Sequence, residues 1–166
     1  MCEYCGCQAL DSIALLTAEH DAVVNLMSDV RAARQAGDLG ALAAAARAIA
    51  SVLAPHTVVE EEGLFPAMAA EFPDHVARLR GEHRVVEAAL GAAVAAGPGA
   101  APSDPDWPEQ LSEAMHLLRE HILAEQDGVF PAALSVLDGD AWDVVDAVRA
   151  RAGTAVDLTA SGLAAG

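Results

Sequence analysis

The chain carries the same twelve-residue pattern twice, as HTVVEEEGLFPA over residues 56–67 and as HILAEQDGVFPA over residues 121–132. Both copies read His, three residues, Glu, two residues, Gly, an aliphatic residue, Phe, Pro and Ala. A second pair of related strings precedes them, EHDAVVNL at 19–26 and EHRVVEAAL at 82–90. The chain therefore consists of two similar halves, each with a Glu-His pair followed by a His-x-x-x-Glu motif.

The composition favours a helical fold for these two halves. Hydrophobic residues make up 54% of the 166 residues but aromatic residues only 4%, so Ala, Leu and Val must fill the core. Ala and Leu are strong helix formers, and a chain of this length can bury the core of one domain. We therefore predict an all-α protein.

Apolar residues at helical spacing predict four long helices, at about residues 10–35, 38–64, 74–97 and 108–134, and a short fifth helix at 140–151. Asp38 and Asp74 are interpreted as helix N-caps. Pro55 is expected to bend the second helix, and Gly128 and Pro131 to distort the fourth. The prediction is an up-and-down four-helix bundle with a short extra C-terminal helix. We assign residues 1–10 to a cysteine-containing N-terminal arm, 11–152 to the bundle and 153–166 to a C-terminal tail.

The repeated motifs predict a metal site. In an antiparallel helix pair, a Glu-His near the start of one helix lies at the height of a His-x-x-x-Glu near the end of the next. A histidine and a glutamate four residues apart share one helix face, and iron, manganese and zinc accept imidazole and carboxylate ligands. Two inward carboxylates repel each other unless cations lie between them. We therefore predict a pair of metal ions bridged by two glutamates, each ion with two histidines. The candidate ligands are His20, His56, Glu60, His83, His121 and Glu125.

The order of these elements resembles the hemerythrin-like (HHE cation-binding) domain. The elements are a first histidine, HTVVE, a second Glu-His and HILAE, with a Phe-Pro after each motif glutamate, and they cover about residues 11–135. The resemblance implies a non-haem di-iron centre, oxo- or hydroxo-bridged, inside a four-helix bundle. It also implies a division of the ligands: His20 and His56 mainly serve one iron, His83 and His121 the other, and Glu60 and Glu125 bridge them.

The sequence departs from the oxygen-carrying hemerythrins at one ligand position. Those proteins have two histidines four residues apart on the third helix and a final His-x-x-x-x-Asp. Here Leu79 stands four residues before His83, and the last carboxylate is a glutamate at four-residue spacing. The missing ligand leaves an open or water-filled position, which favours redox or peroxide chemistry over reversible oxygen carriage. Glu87, four residues after His83, is a further candidate for that position, although its counterpart in the first half is Val24.

These features predict a small cytoplasmic di-iron protein that binds or reduces O2, H2O2 or NO in a sensing or detoxifying role. Its partner is then a diatomic or peroxide ligand, and a weak catalase- or peroxidase-like activity is an open question. One alternative is a non-enzymatic module that stores or senses iron. Another is a structural zinc-binding bundle. The oligomeric state stays undetermined at this stage.

Charge and hydropathy exclude other classes of function. The net charge of −16 repels nucleic-acid phosphates and anionic lipid surfaces. The apolar stretch 39–55 contains Arg47 and is rich in alanine, which favours a packed helix over a membrane span. The N-terminus lacks the basic region and apolar core of a signal peptide, and a cytoplasmic location is expected.

The remaining chemically notable residues fall outside the predicted site. Cys2, Cys5 and Cys7 supply three thiolates, one short of a closed tetrahedral zinc site. They are interpreted as metal ligands completed from outside, a reversible disulfide, a thiol sensor or a plain arm. The other histidines and several acidic residues are predicted to face solvent, namely His75, His116, Glu61, Glu62 and Asp127.

Overall fold

The computed structural model describes residues 7–157, and in that part of the chain every regular element is a helix. The elements are α1 (Cys7–Ala36), α2 (Leu39–Val59), a π-helical turn π1 (Glu60–Leu64), α3 (Phe65–Met68), α4 (Pro73–Ala96), α5 (Trp107–Ala124), a second π-helical turn π2 (Glu125–Val129), α6 (Phe130–Val136) and α7 (Gly139–Ala152).

The four long helical stretches form the predicted up-and-down bundle. Helix α1 packs along α2, α4 packs along α5, and α2 and α4 join the two pairs. Segments π1 and α3 continue the line of α2, and π2 and α6 continue that of α5. Helix α7 lies across α1, α2 and π1, on the first half of the molecule. The all-α bundle with a short extra C-terminal helix is confirmed.

The helix ends agree with the sequence in part. The Asp38 side chain accepts a hydrogen bond from the Ala41 amide at 2.9 Å, which confirms it as an N-cap. The prediction that Asp74 caps the third helix is wrong, because α4 already begins at Pro73, and proline is well suited to the first turn. Helix α7 begins slightly earlier than predicted, with Asp138 as its cap. Helix α1 begins at Cys7, inside the segment treated above as the N-terminal arm.

The helices depart from α-helical geometry at the repeated motif. Helix α2 continues through Pro55 as α-helix, and its departure from α-helical hydrogen bonding comes at Glu60, where π1 begins. Turn π2 begins at the equivalent Glu125 and includes Gly128, where distortion was predicted. A π-helical turn inserts an extra residue, and such turns are common at functional sites. Both turns therefore mark the glutamates of the motif.

The core consists of two apolar layers. One joins α1, α2, α4 and α5 and includes Met27, Ile49, Leu90, Trp107 and Leu111. The other lies around the two π-helical turns and includes Leu16, Leu64, Phe65, Leu79 and Phe130, together with Trp142 and Val145 of α7. A layer of polar residues separates them, and it is the place where the predicted ligands lie.

One helical stretch, Leu39–Met68, is long and apolar enough to cross a membrane by length and composition alone. In the structure, 44% of its most apolar window is buried inside the protein. The same stretch carries the buried His56 and Glu60 toward the bundle interior. A core helix of the bundle accounts for its hydropathy.

Candidate metal centre

The six residues of the motifs come together between the two apolar layers. Each of them is at most 6% exposed. Every long helix contributes, because α1, α2, α4 and α5 each supply one of the four histidines and π1 and π2 each begin with one of the two glutamates. The residues are His20, His56, Glu60, His83, His121 and Glu125.

They form two groups that share both glutamates. One group contains His20 and His56, and the other contains His83 and His121. In each group, one nitrogen or oxygen atom from each of the four residues lies within 4.8 Å of the corresponding atoms of the other three. This division follows the two halves of the sequence.

Each glutamate spans the two groups, with one oxygen toward either side. Every carboxylate oxygen lies 3.0–3.3 Å from one imidazole Nε2 atom. The pairs are Glu60 Oε1 with His56 (3.2 Å), Glu60 Oε2 with His83 (3.3 Å), Glu125 Oε1 with His121 (3.0 Å) and Glu125 Oε2 with His20 (3.2 Å).

The outer nitrogens of three imidazoles donate to further glutamates. The pairs are His56 Nδ1 with Glu19 (2.9 Å), His83 Nδ1 with Glu61 (2.8 Å) and His121 Nδ1 with Glu82 (2.8 Å). Because a carboxylate only accepts, Nδ1 carries the hydrogen, and in a neutral ring the Nε2 lone pair then faces the centre. Metal-binding histidines have this arrangement. The Nδ1 of His20 is buried and has no hydrogen-bond partner among residues 7–157.

The imidazole Nε2 atoms and the carboxylate oxygens at the centre of the cluster are arranged as ligands of cations. They are poorly placed to hydrogen-bond with one another. The Nε2 atoms of His20 and His56 lie 3.2 Å apart, and those of His83 and His121 lie 3.0 Å apart. None of the four oxygens of the two shared glutamates receives a hydrogen bond within the described chain. Buried polar atoms without partners are rare and costly. A cation in each group would satisfy the lone pairs and the carboxylates together, so the residues fit a pair of metal ions.

When no metal is bound, protons on the imidazole rings compensate the negative charge of the buried carboxylates. Burial by itself lowers the pKa of His56, but Glu60 and Glu19 outweigh it and raise that pKa from 6.5 to about 10. For His121, burial is likewise outweighed by Glu125 and Glu60, and the pKa rises to about 9. Burial raises the pKa of Glu60, yet the charge of His56 holds it well below its usual value. Metal binding must therefore displace protons from these rings.

The stability of the metal-free protein is expected to fall as the pH rises from about 7 to 10. The folded pKa values of His56 and His121, about 10 and about 9, lie above the value of 6.5 for a free side chain. The folded state therefore binds more protons, and this stabilisation is complete below pH 6.5 and lost as the pH passes through 9 and 10. Thermal unfolding of chelator-treated protein across this range measures it. An unfolding temperature that stays constant or rises over this pH range would contradict the raised pKa values of His56 and His121.

The outer glutamates are themselves held by arginines. Glu19 is fully buried, and its two oxygens accept hydrogen bonds from the Arg149 guanidinium of α7 at 2.7 and 2.9 Å. Thr154 donates a further bond to Glu19 at 2.7 Å. The chain after residue 133 is thus connected to the centre through Glu19 and His56.

The second half has similar connections nearer the surface. Arg78 pairs with Glu82, and Arg80 lies 3.2 Å from a Glu61 carboxylate oxygen. The prediction that Glu61 faces solvent is wrong, because this residue is half-buried and accepts the hydrogen bond of His83. Sequence reasoning missed these outer glutamates. The repeated Glu-His dipeptide was the available signal, since Glu19 and Glu82 each support the histidine of the next helix.

The phenylalanine of each motif packs against a histidine of the centre. Phe130 stacks on the His20 ring at 5.5 Å between centroids, and Phe65 stacks on His83 at 5.5 Å. Leu79 is fully buried in the same apolar layer. The aliphatic residue and the phenylalanine of each motif therefore belong to the apolar layer beside the site.

The remaining candidates lie outside the two groups. Glu87 is exposed, although it lines a small cavity together with the four histidines. The solvent-facing predictions are confirmed for four residues, His75, His116, Glu62 and Asp127. Cys2 and Cys5 lie outside the described residues, as does the side chain of Cys7.

Comparison with known proteins agrees with this architecture. A family model described as hemerythrin HHE cation binding domain matches residues 11–133, which is more than half of the chain. The matched range includes all six residues of the two groups and ends before α7. No curated protein and no solved structure matches the chain.

Proposed function

Since the chain belongs to the hemerythrin HHE cation-binding domain family, we propose that it holds a pair of iron ions and uses them to bind or reduce O2, H2O2 or NO, in a sensing or detoxifying role. The observation that carries the proposal is the pair of groups sharing Glu60 and Glu125. Each group offers two imidazole nitrogens and two carboxylate oxygens, and among the described residues these oxygens have only the imidazoles as polar neighbours.

The donor set supports iron with positions left for a small ligand. Nitrogen and oxygen donors of this kind are typical of non-haem iron sites with open positions. When bound, two irons supply the electrons for reduction of a small oxidant. The chain's own residues orient the donors, because Glu19, Glu61 and Glu82 hold three of the four imidazole rings by their outer nitrogens.

The size of the cavity at the centre limits the substrate. The four histidines line a space of about 10 Å³ together with Leu53, Thr57, Val86, Glu87 and Leu118. A volume of this order accepts about one water molecule. The space therefore excludes large organic substrates, which is consistent with a ligand as small as O2, NO or H2O2.

Leu79 supports reaction over reversible oxygen carriage. It lies four residues before His83, where the oxygen-carrying relatives have a further histidine, and its buried side chain offers no donor atom. The apolar layer that contains Leu79 also includes Leu16, Phe65 and Phe130. We therefore propose peroxide decomposition at a modest rate and rapid oxidation of the reduced protein by O2.

The substitution Leu79→His tests this proposal. Wild-type protein loaded with iron should release O2 from H2O2, and Leu79→His should lower that rate several-fold by adding a donor to one iron. The same change should slow the oxidation of the reduced protein by O2. Release of O2 is measured with an electrode, and oxidation by the optical spectrum.

The control is Leu79→Phe, which adds a ring of similar size without a nitrogen. A loss of activity in both variants would assign the effect to packing. Wild-type protein that binds O2 reversibly for hours and leaves peroxide intact would contradict the proposal. A protein that holds iron but reacts with none of the three molecules would favour the iron-storage or iron-sensing alternative.

A further inference from the structure

The two metal-binding groups differ in the support of their histidines. In one group, His83 and His121 both donate from Nδ1 to glutamates, at 2.8 Å each. In the other group, His56 donates to Glu19 at 2.9 Å, whereas the Nδ1 atom of His20 is buried without a partner in the described structure. Three imidazoles are therefore fixed by carboxylates and the fourth is not.

The sequence repeat identifies the origin of this difference. In the first half, Glu61 follows the shared Glu60 and reaches across to His83 of the second half. The equivalent residue after Glu125 is Gln126. A neutral amide thus stands at the repeat position from which a carboxylate would support His20, and Gln126 is half-buried.

A carboxylate on the outer nitrogen strengthens a histidine ligand in two ways. It fixes the ring orientation and the tautomer, and it increases the basicity of the inner nitrogen. Loss of one such partner typically weakens metal binding by about 10–100-fold. The arginines do not remove the difference, because Glu19, Glu61 and Glu82 each pair with one.

We infer that the two metal positions bind iron unequally. The position at His83 and His121 fills first, and the position at His20 and His56 is weaker by about 10–100-fold, so that it fills last and empties first. This inference rests on the proposed di-iron function. It follows from the glutamine at position 126 and from the lack of a hydrogen-bond partner for His20 Nδ1 among the described residues.

Titration of the metal-free protein with Fe(II) under argon tests the inference. Calorimetry, with a competing chelator for the tighter step, should resolve two steps that together bind two ions. Gln126→Glu should tighten only the weaker step, by about tenfold or more. Glu61→Gln should weaken only the tighter step and bring the two affinities together.

Matched control variants distinguish the effect of a hydrogen bond to a histidine ring from the effect of a change in net charge. Glu62→Gln and Asp127→Asn each remove one charge from an exposed neighbour of Glu61 or Gln126, and both steps should stay unchanged. Two ions bound with equal affinity in the wild type would overturn the inference and leave the di-iron proposal intact. A weaker step that does not respond to Gln126→Glu would also overturn it. A stoichiometry of one ion would overturn both.

Discussion

Replacement of Glu60 with alanine is expected to remove both metal ions, from two per chain to fewer than one. Its carboxylate has one oxygen near His56 and the other near His83, so it belongs to both groups. Without it, each group keeps two imidazoles and one carboxylate oxygen from Glu125. Metal analysis of protein purified from iron-fed cells measures the loss, and Glu125→Ala should produce the same result by the symmetry of the repeat.

Two exposed residues provide controls for this experiment. His116 lies on α5 five residues before His121, and Glu62 lies in π1 two residues after Glu60, yet both side chains face solvent. His116→Ala and Glu62→Ala should therefore retain two ions. If His116→Ala lost metal while Glu60→Ala kept it, the assignment of helix faces would be wrong.

Replacement of Arg149 with alanine is expected to destabilise the protein by about 3 kcal/mol, the lower end of the cost of breaking a buried ion pair. Arg149 binds both oxygens of Glu19, which is fully buried beside His56. Its loss leaves Glu19 with His56 and Thr154 as partners, so the orientation of His56 should also suffer. Chemical unfolding measures the stability, and Fe(II) affinity should fall by about tenfold or more.

Arg151 is the matched control, because it lies on the same helix and also pairs with a glutamate. Its partner is Glu62, and both side chains of this pair are more than half exposed. Exposed pairs contribute about 0–1 kcal/mol, so Arg151→Ala should have little effect on stability or metal. Arg149→Lys should restore part of the stability and less of the metal affinity, since lysine lacks the two-pronged contact. If Arg149→Ala and Arg151→Ala changed stability and Fe(II) affinity equally, the proposed link from Arg149 through Glu19 to His56 would be contradicted.

The sequence predicted the bundle because its two signals agree. Helical spacing of apolar residues gave the four long helices, and the duplicated motif showed that their polar positions meet at one level. The convergence of His20, His56, His83 and His121 was predicted from helical spacing, antiparallel order and the duplication. These features depend on contacts within one helix pair, which sequence periodicity records directly.

Contacts that neither the helical spacing nor the repeat encodes could not be predicted from the sequence. The bond from Arg149 to Glu19 joins residues 130 positions apart, and nothing in the local pattern of α7 indicates it. Glu61 was misjudged because three consecutive glutamates at 60–62 look alike, although the first faces the centre, the second supports His83 and the third faces solvent. The π-helical turn at Glu60 changes the helical phase at this point, and α-helical spacing does not describe it.

Helix α7 packs against only one half of the duplicated fold, so the two halves should differ in how often they open locally. A Cβ atom at Gly63 would lie 3.2 Å from the Val145 Cα, whereas one at the equivalent Gly128 would meet nothing within 4 Å. Turn π1 therefore packs closely against α7, while no helix of residues 7–157 covers π2 in this way. Segments with fewer packed neighbours open more often. Local opening that admits solvent should thus begin at π2 and α6, although the histidines of that half, His83 and His121, are both held by glutamates.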